Sequence, residues 1–104
     1  MDYSVIYKNH IDGLPPKFDN VKMKSKYYSW IKKQKLNLPD AEVYIKRILK
    51  ELHFSIPEKI TYEKVFQNPL ITAAFWLYQN TTLTQKEISD IIGISTMTIT
   101  NNLN

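Results

Sequence analysis

Thr96, Met97, Thr100, Asn101 and Asn104 share one side of a helical wheel near the end of the chain, with Ser95 where that helix would begin. They are short polar side chains plus one methionine, and the chemistry open to them is recognition, not bond-making. Asparagine can bond bidentately to adenine, and threonine can meet a thymine methyl or a phosphate. The N–H groups at a helix start favour an anion. Thr84, Gln85 and Lys86 open a preceding helix and, with Ser95, are the expected phosphate contacts, leaving Thr96, Met97, Thr100 and Asn101 for base edges. The second helix carries no lysine or arginine. Phosphate neutralisation supplies most non-specific affinity for DNA, so the charge must come from elsewhere. Lys22, Lys24, Lys26, Lys32, Lys33 and Lys35 crowd a stretch without one acidic residue. They are candidate phosphate contacts, although such a run taken alone also describes an ordinary solvated helix face.

Bond-making chemistry is not indicated. His10 and His53 are isolated, without paired metal-ligand spacing, and neither a glycine-rich phosphate loop nor a nucleophile elbow occurs. His53 falls at a helix end, where an imidazole meets terminal carbonyls. The chain has no cysteine, hence no disulfide and no thiolate zinc site. No catalytic residue, metal or cofactor is expected, and the protein is not expected to be an enzyme.

The elements that must position these residues are helical. Thr84 and Glu87 form a T-x-x-E capping box, and Leu83 can pack on Ile88 as a hydrophobic staple, so a helix starts at Thr84 or Gln85. Ile88, Ile91 and Ile92 make its inner face. Gly93, one of only two glycines, stops it in the left-handed conformation. Ser95 caps the next helix, Ile94 and Ile99 repeat the staple, and Ile99 and Leu103 face the first helix across the small Ser89. The two helices and their short turn read as a helix-turn-helix over 84–104.

Upstream, residues 1–24 read as an N-terminal arm: Gly13, Leu14, Pro15 and Pro16 break regular structure, while Val5, Ile6, Tyr7, Ile11, Leu14 and Phe18 suggest packing on the remainder. A helix is expected from about Ser25 to Leu36, with Tyr27, Ile31 and Trp30 inward. A second opens at Pro39 and Asp40, carries the stripe Ala41, Ile45, Ile48, Leu49 and Leu52, and ends near His53. Ser55 to Gln67 is irregular, with room for a helical turn. Asn68 and Pro69 then start a helix to about Gln79 that is apolar nearly all round and belongs in the middle of a bundle. Tyr27, Trp30, Trp76 and Tyr78 lie at helical spacing and are expected in the core, not as stacking platforms for bases. At 104 residues and 43% hydrophobic content, the chain can bury a core without staples. No apolar run reaches the length of a membrane span, so no membrane association is expected.

This order of elements resembles one cyclin-like repeat, in particular the second core repeat of the archaeal transcription factor B and eukaryotic IIB family. The matching stretches are KLNLPDAEVYIKRILKEL, NPLITAAFWLYQN and LTQKEISDIIGISTMTITNNL, the last carrying Thr84, Gln85, Gly93, Ser95, Thr98 and Asn101 at the family's positions. The resemblance covers about three quarters of the chain. It implies an all-α, five-helix cyclin-like bundle over 25–104 whose helix-turn-helix docks on promoter DNA beside the TATA-binding protein. A complete family member also has a cysteine-ligated zinc ribbon and two repeats, whereas this chain has no cysteine and room for one. Basic residues usually follow the asparagine of the family's last helix; here Asn102, Leu103 and Asn104 do. The expectation is therefore a single-repeat archaeal or viral regulator of transcription, cytoplasmic and nucleoid-associated, that binds double-stranded DNA as a homodimer or with the TATA-binding protein or RNA polymerase. The alternative is a cyclin-like adaptor acting on the transcription machinery without touching DNA. A looser bacterial-type helix-turn-helix regulator is a further competitor.

Overall fold

Apolar stripes and capping residues divide the chain into α1 (Tyr3–Ile11), α2 (Val21–Lys33), α3 (Ala41–Glu51), α4 (Pro69–Asn80), α5 (Gln85–Ile92) and α6 (Thr96–Leu103). The computed structural model describes residues 2–103, and for residue 103 the backbone alone. The expected inward packing of Leu103 and outward placement of Asn104 therefore lie outside the described residues. Among those residues the fold is all-helical without strands, and it has six helices where five were expected.

The additional helix is α1, inside the stretch expected to be an arm without regular structure. Its start is capped by the Asp2 carboxylate, which accepts from the Ser4 N–H at 3.0 Å. Its inner stripe, Tyr3, Ile6, Tyr7 and His10, has the three- and four-residue spacing of an amphipathic helix, but three of its four members carry polar atoms. The second difference is the start of α2, whose expected inner face of Tyr27 and Ile31 is buried. It begins at Val21, not Ser25, because the Asn20 side chain accepts from the Met23 N–H at 2.9 Å.

The remaining starts follow the expected chemistry. Asp40 caps α3, Asn68 caps α4 ahead of Pro69, and Thr84 with Glu87 closes a complete capping box on α5. α4 lies at the centre, packed on α3, α5 and α6. Tyr44, Ile45, Ile48 and Leu49 from α3 meet Ala73, Ala74, Trp76 and Leu77 from α4, and Leu83, Ile88, Ile92 and Ile99 close the far side. α4 is not buried all round, however: Tyr78 is 39% exposed, and Phe75 is half-buried against Phe66, ring centroids 5.6 Å apart. Phe66 belongs to the segment 54–68, which has no helix or strand and is held to α4 by Thr72, whose hydroxyl accepts from the Phe66 N–H at 2.8 Å and donates to its carbonyl at 3.2 Å.

α1 and α2 pack through a second, aromatic cluster. Tyr3 and Tyr7 approach Trp30, and Phe18 lies 5.3 Å from Tyr27. At its centre is His10, fully buried, with Nδ1 3.0 Å from the Tyr27 hydroxyl and Nε2 2.9 Å from the Tyr44 hydroxyl. A neutral imidazole has one N–H donor and one lone pair, and two hydroxyls satisfy both. His10 thus joins α1, α2 and α3. Burial pushes its pKa down from 6.5 to about 4, because the charged ring has no anion beside it, and the same burial holds the Tyr27 and Tyr44 phenols well above their usual value.

The end of α1 is held by Gly13, at φ 96°, whose N–H reaches the His10 carbonyl at 2.9 Å. A Cβ added there would come within 2.7 Å of the Val43 carbonyl oxygen and 2.8 Å of Arg47 Cβ, so α1 closes on α3 through a contact that only glycine permits. α3 ends in the same way at His53, at φ 60°, where the side chain has a Cβ to accommodate. There the backbone N–H of His53, not the expected imidazole, meets the helix end, at Lys50 O 3.2 Å away. Gly13→Ala is expected to lower the unfolding free energy by about 1–3 kcal/mol, whereas His53→Gly raises it by about 1 kcal/mol. Urea denaturation of the two variants checks both signs.

Candidate nucleic-acid interface

α5 and α6 are joined by residues 93–95. Gly93 sits at φ 84° and gives its N–H to the Ser89 carbonyl at 2.8 Å. Ser89, in turn, donates its hydroxyl to the Ile94 carbonyl, so its small side chain ties the turn to α5. Ser95 starts α6 by accepting from the Thr98 N–H at 3.1 Å. Ile88, Ile92 and Ile99 are buried, and α6 lies on α4, with Ile99 and the half-buried Asn102 facing Ile71, Ala74 and Phe75. That docking leaves the opposite side of α6 outermost.

Thr96, Met97, Thr100 and Asn101 all lie on the exposed side, Met97 being 71% exposed. Thr96, Met97 and Asn101 have no side-chain hydrogen bond among the described residues. Thr100 differs, because its hydroxyl donates to Gln85 Oε1 at 2.6 Å. The bond spans the two helices, fixes the half-buried Gln85, and leaves the Gln85 amide N–H groups as donors. It also removes the Thr100 hydroxyl proton from base reading and leaves that oxygen as an acceptor. Asn102, next in sequence to Asn101, spends its amide on the Thr98 carbonyl at 2.8 Å.

The residues expected at phosphates are partly committed as well. The Thr84 hydroxyl accepts from the Glu87 N–H at 3.1 Å and also faces the Glu87 carboxyl. The Ser95 hydroxyl is shared with Thr98 Oγ1 at 2.8 Å. Lys86 is exposed. Hydrogen bonds from the Thr84 backbone and side chain hold the Glu87 carboxyl below its usual range, so a permanent anion stands next to Lys86.

The six lysines are exposed but do not form one patch. With Tyr27 and Ile31 buried, the phase of α2 puts Lys22, Lys26 and Lys33 within about 40° of each other on the solvent side at 100° per residue. Lys24 faces the other way. It lines an open groove of about 690 Å³ that Ser89, Asp90, Gly93 and Ile94 also line. Lys35 lies beyond the end of α2, at φ 55°. The ion pairs among the described residues, Lys46–Glu42 and Arg47–Glu51, are both on α3 and use none of these lysines. The structure therefore puts one of the six, Lys24, on a groove shared with the α5–α6 turn and gathers three others into a separate stripe.

His10 is the residue whose role the sequence conceals: its ring is closed off from solvent and both nitrogens face tyrosine hydroxyls. No group of three or more histidine, cysteine or acidic side chains that could hold a metal ion occurs among the described residues. Among them, too, no helix is long and apolar enough to cross a membrane. Comparison of the chain with protein families, with curated proteins and with solved structures gives no match.

Proposed function

We propose that the protein is a DNA-binding regulator of transcription that lays α6 in the major groove, with α5 crossing the backbone above it as a helix-turn-helix. The observation that carries this reading is the outer face of α6: a capped helix, fixed from behind by Ile99 and Asn102, presents Thr96, Met97 and Asn101 unencumbered at its exposed surface. Thr84, Gln85, Lys86 and Ser95 flank it as phosphate contacts, and the unpaired lysines of α2 supply attraction at longer range. We further propose that α2 to α6 form a cyclin-like repeat related to the transcription factor B family, with α1 as an addition that α2 and α3 hold through His10.

The scarcity of charge near α6 has a consequence for mechanism. Only Lys86 offsets Glu87 and Asp90 on α5, and α6 has no basic residue. A single module of this kind binds non-specific duplex at roughly 10⁻⁴ to 10⁻⁶ M at physiological salt. Useful occupancy then needs a second copy or a partner already on the promoter, for which the TATA-binding protein or RNA polymerase are the candidates. The same scarcity favours the second reading, an adaptor that contacts those partners and leaves DNA alone. Selection of duplexes from a random pool, with and without a TATA-binding protein, separates the two. Enrichment is expected, stronger with the partner, and an absence of enrichment in both arms would leave only the adaptor.

A further inference from the structure

The outer face of α6 is selective in its chemistry, because each base pair asks for a different side chain in the major groove. Guanine O6 and N7 are read by the forked donors of arginine or by lysine, and the amino group of cytosine by a carboxylate. α6 has neither a basic nor an acidic residue. What it has is one available amide and a set of methyl-bearing side chains. Asn101 is exposed and unbonded among the described residues, whereas Asn102 is half-buried beside Ile71, Ala74 and Phe75 of α4 and donates to the Thr98 carbonyl, so Asn101 is the one of the two placed to reach a base. Its amide matches adenine, donating to N7 and accepting from N6. Met97, one turn earlier and 71% exposed, presents apolar volume beside the methyl of Thr96. Thr100 is a further exposed, methyl-bearing side chain, its hydroxyl proton being given to Gln85. Such a surface suits the C5-methyl of thymine.

From this we infer that α6 reads A·T pairs through the major groove, with Asn101 on an adenine and Met97, supported by Thr96, on the methyl of a nearby thymine. The inference rests on the proposed docking of α6 on duplex DNA, to which the net charge of +4 on the chain is complementary.

The test compares full-chain protein on two duplexes of equal length at one low salt concentration, one of scrambled A·T pairs and one of scrambled G·C pairs. It then repeats the first with deoxyuridine for thymidine, which deletes the C5-methyl alone. The A·T duplex should bind about tenfold or more tightly. Removal of the methyl groups should weaken binding roughly fourfold, and this loss should vanish in Met97→Ala. Asn101→Ala should abolish the preference for A·T. Equal binding to both duplexes, a preference for G·C, or indifference to the uridine exchange would overturn the inference while leaving the proposed DNA contact in place. No binding to either duplex would overturn both. Because the uridine exchange alters only the DNA, it does not depend on any variant folding.

Discussion

Between pH 7 and pH 5 the protein is expected to lose about 2 kcal/mol of unfolding free energy through His10 alone. The sign follows from the depressed pKa. Burial lowers the ring from 6.5 to about 4 in the folded protein, so the unfolded chain binds a proton more readily wherever the pH lies below about 6.5. The contribution is fully present above that value and shrinks as the pH falls toward 4. Protonation cannot be absorbed locally, since the groups facing the ring are the hydroxyls and rings of Tyr27, Tyr28 and Tyr44, with no carboxylate among them. The two carboxyls held low, Asp2 and Glu87, contribute their stability above the unfolded carboxylate range and lose it only as the pH falls below that range, outside this window. Urea denaturation at pH 7 and pH 5 measures the effect. In His10→Gln, which can hydrogen-bond but does not titrate, the difference should largely disappear. An undiminished difference in that variant would assign the acid sensitivity to other groups.

Trp76→Ala is the substitution with the largest expected cost, roughly 3–5 kcal/mol. Trp76 is 7% exposed on the central helix and belongs to the core shared by α3, α4, α5 and α6. Set against the 5–15 kcal/mol typical of a whole domain, that loss threatens folding, and the thermal midpoint should fall by roughly 12 °C or more. Phe75→Ala, one residue away, is the informative comparison. Its ring is only half-buried, against Phe66 in the irregular segment, so its loss should cost clearly less. Equal midpoint shifts in the two variants would contradict the packing of α4 described above.

Where caps and apolar stripes agreed, the sequence was a sufficient guide. Asp40, Asn68, Thr84 and Ser95 each start a helix through a bond to a nearby backbone N–H, and each is recognisable because an apolar stripe follows at once. α1 was missed because its stripe is written in tyrosine and histidine. His10 behaves as a core residue only after Tyr27 and Tyr44, 17 and 34 positions away, satisfy its nitrogens, and no local pattern carries that information. The inward placement of Tyr27 and Ile31 and the exposure of the lysines were legible from periodicity, whereas the earlier start of α2 follows from the Asn20 cap. At the candidate interface, outward position was legible from periodicity. The commitment of Thr100 to Gln85 was not, since it joins side chains 15 residues apart on two helices.

The claim that α6 and the basic side chains serve DNA is tested most directly by the affinity for duplex DNA as a function of salt. Lys86 at the start of α5 and Lys24 on the groove shared with the α5–α6 turn offer one to two cations for phosphates, for which log affinity against log salt should fall with a slope of roughly −1 to −2. A measured slope in that range, made shallower by about 1 for each of these lysines replaced by glutamine, is the result expected. Binding with no dependence on salt, or none at millimolar protein and low salt, would contradict the account.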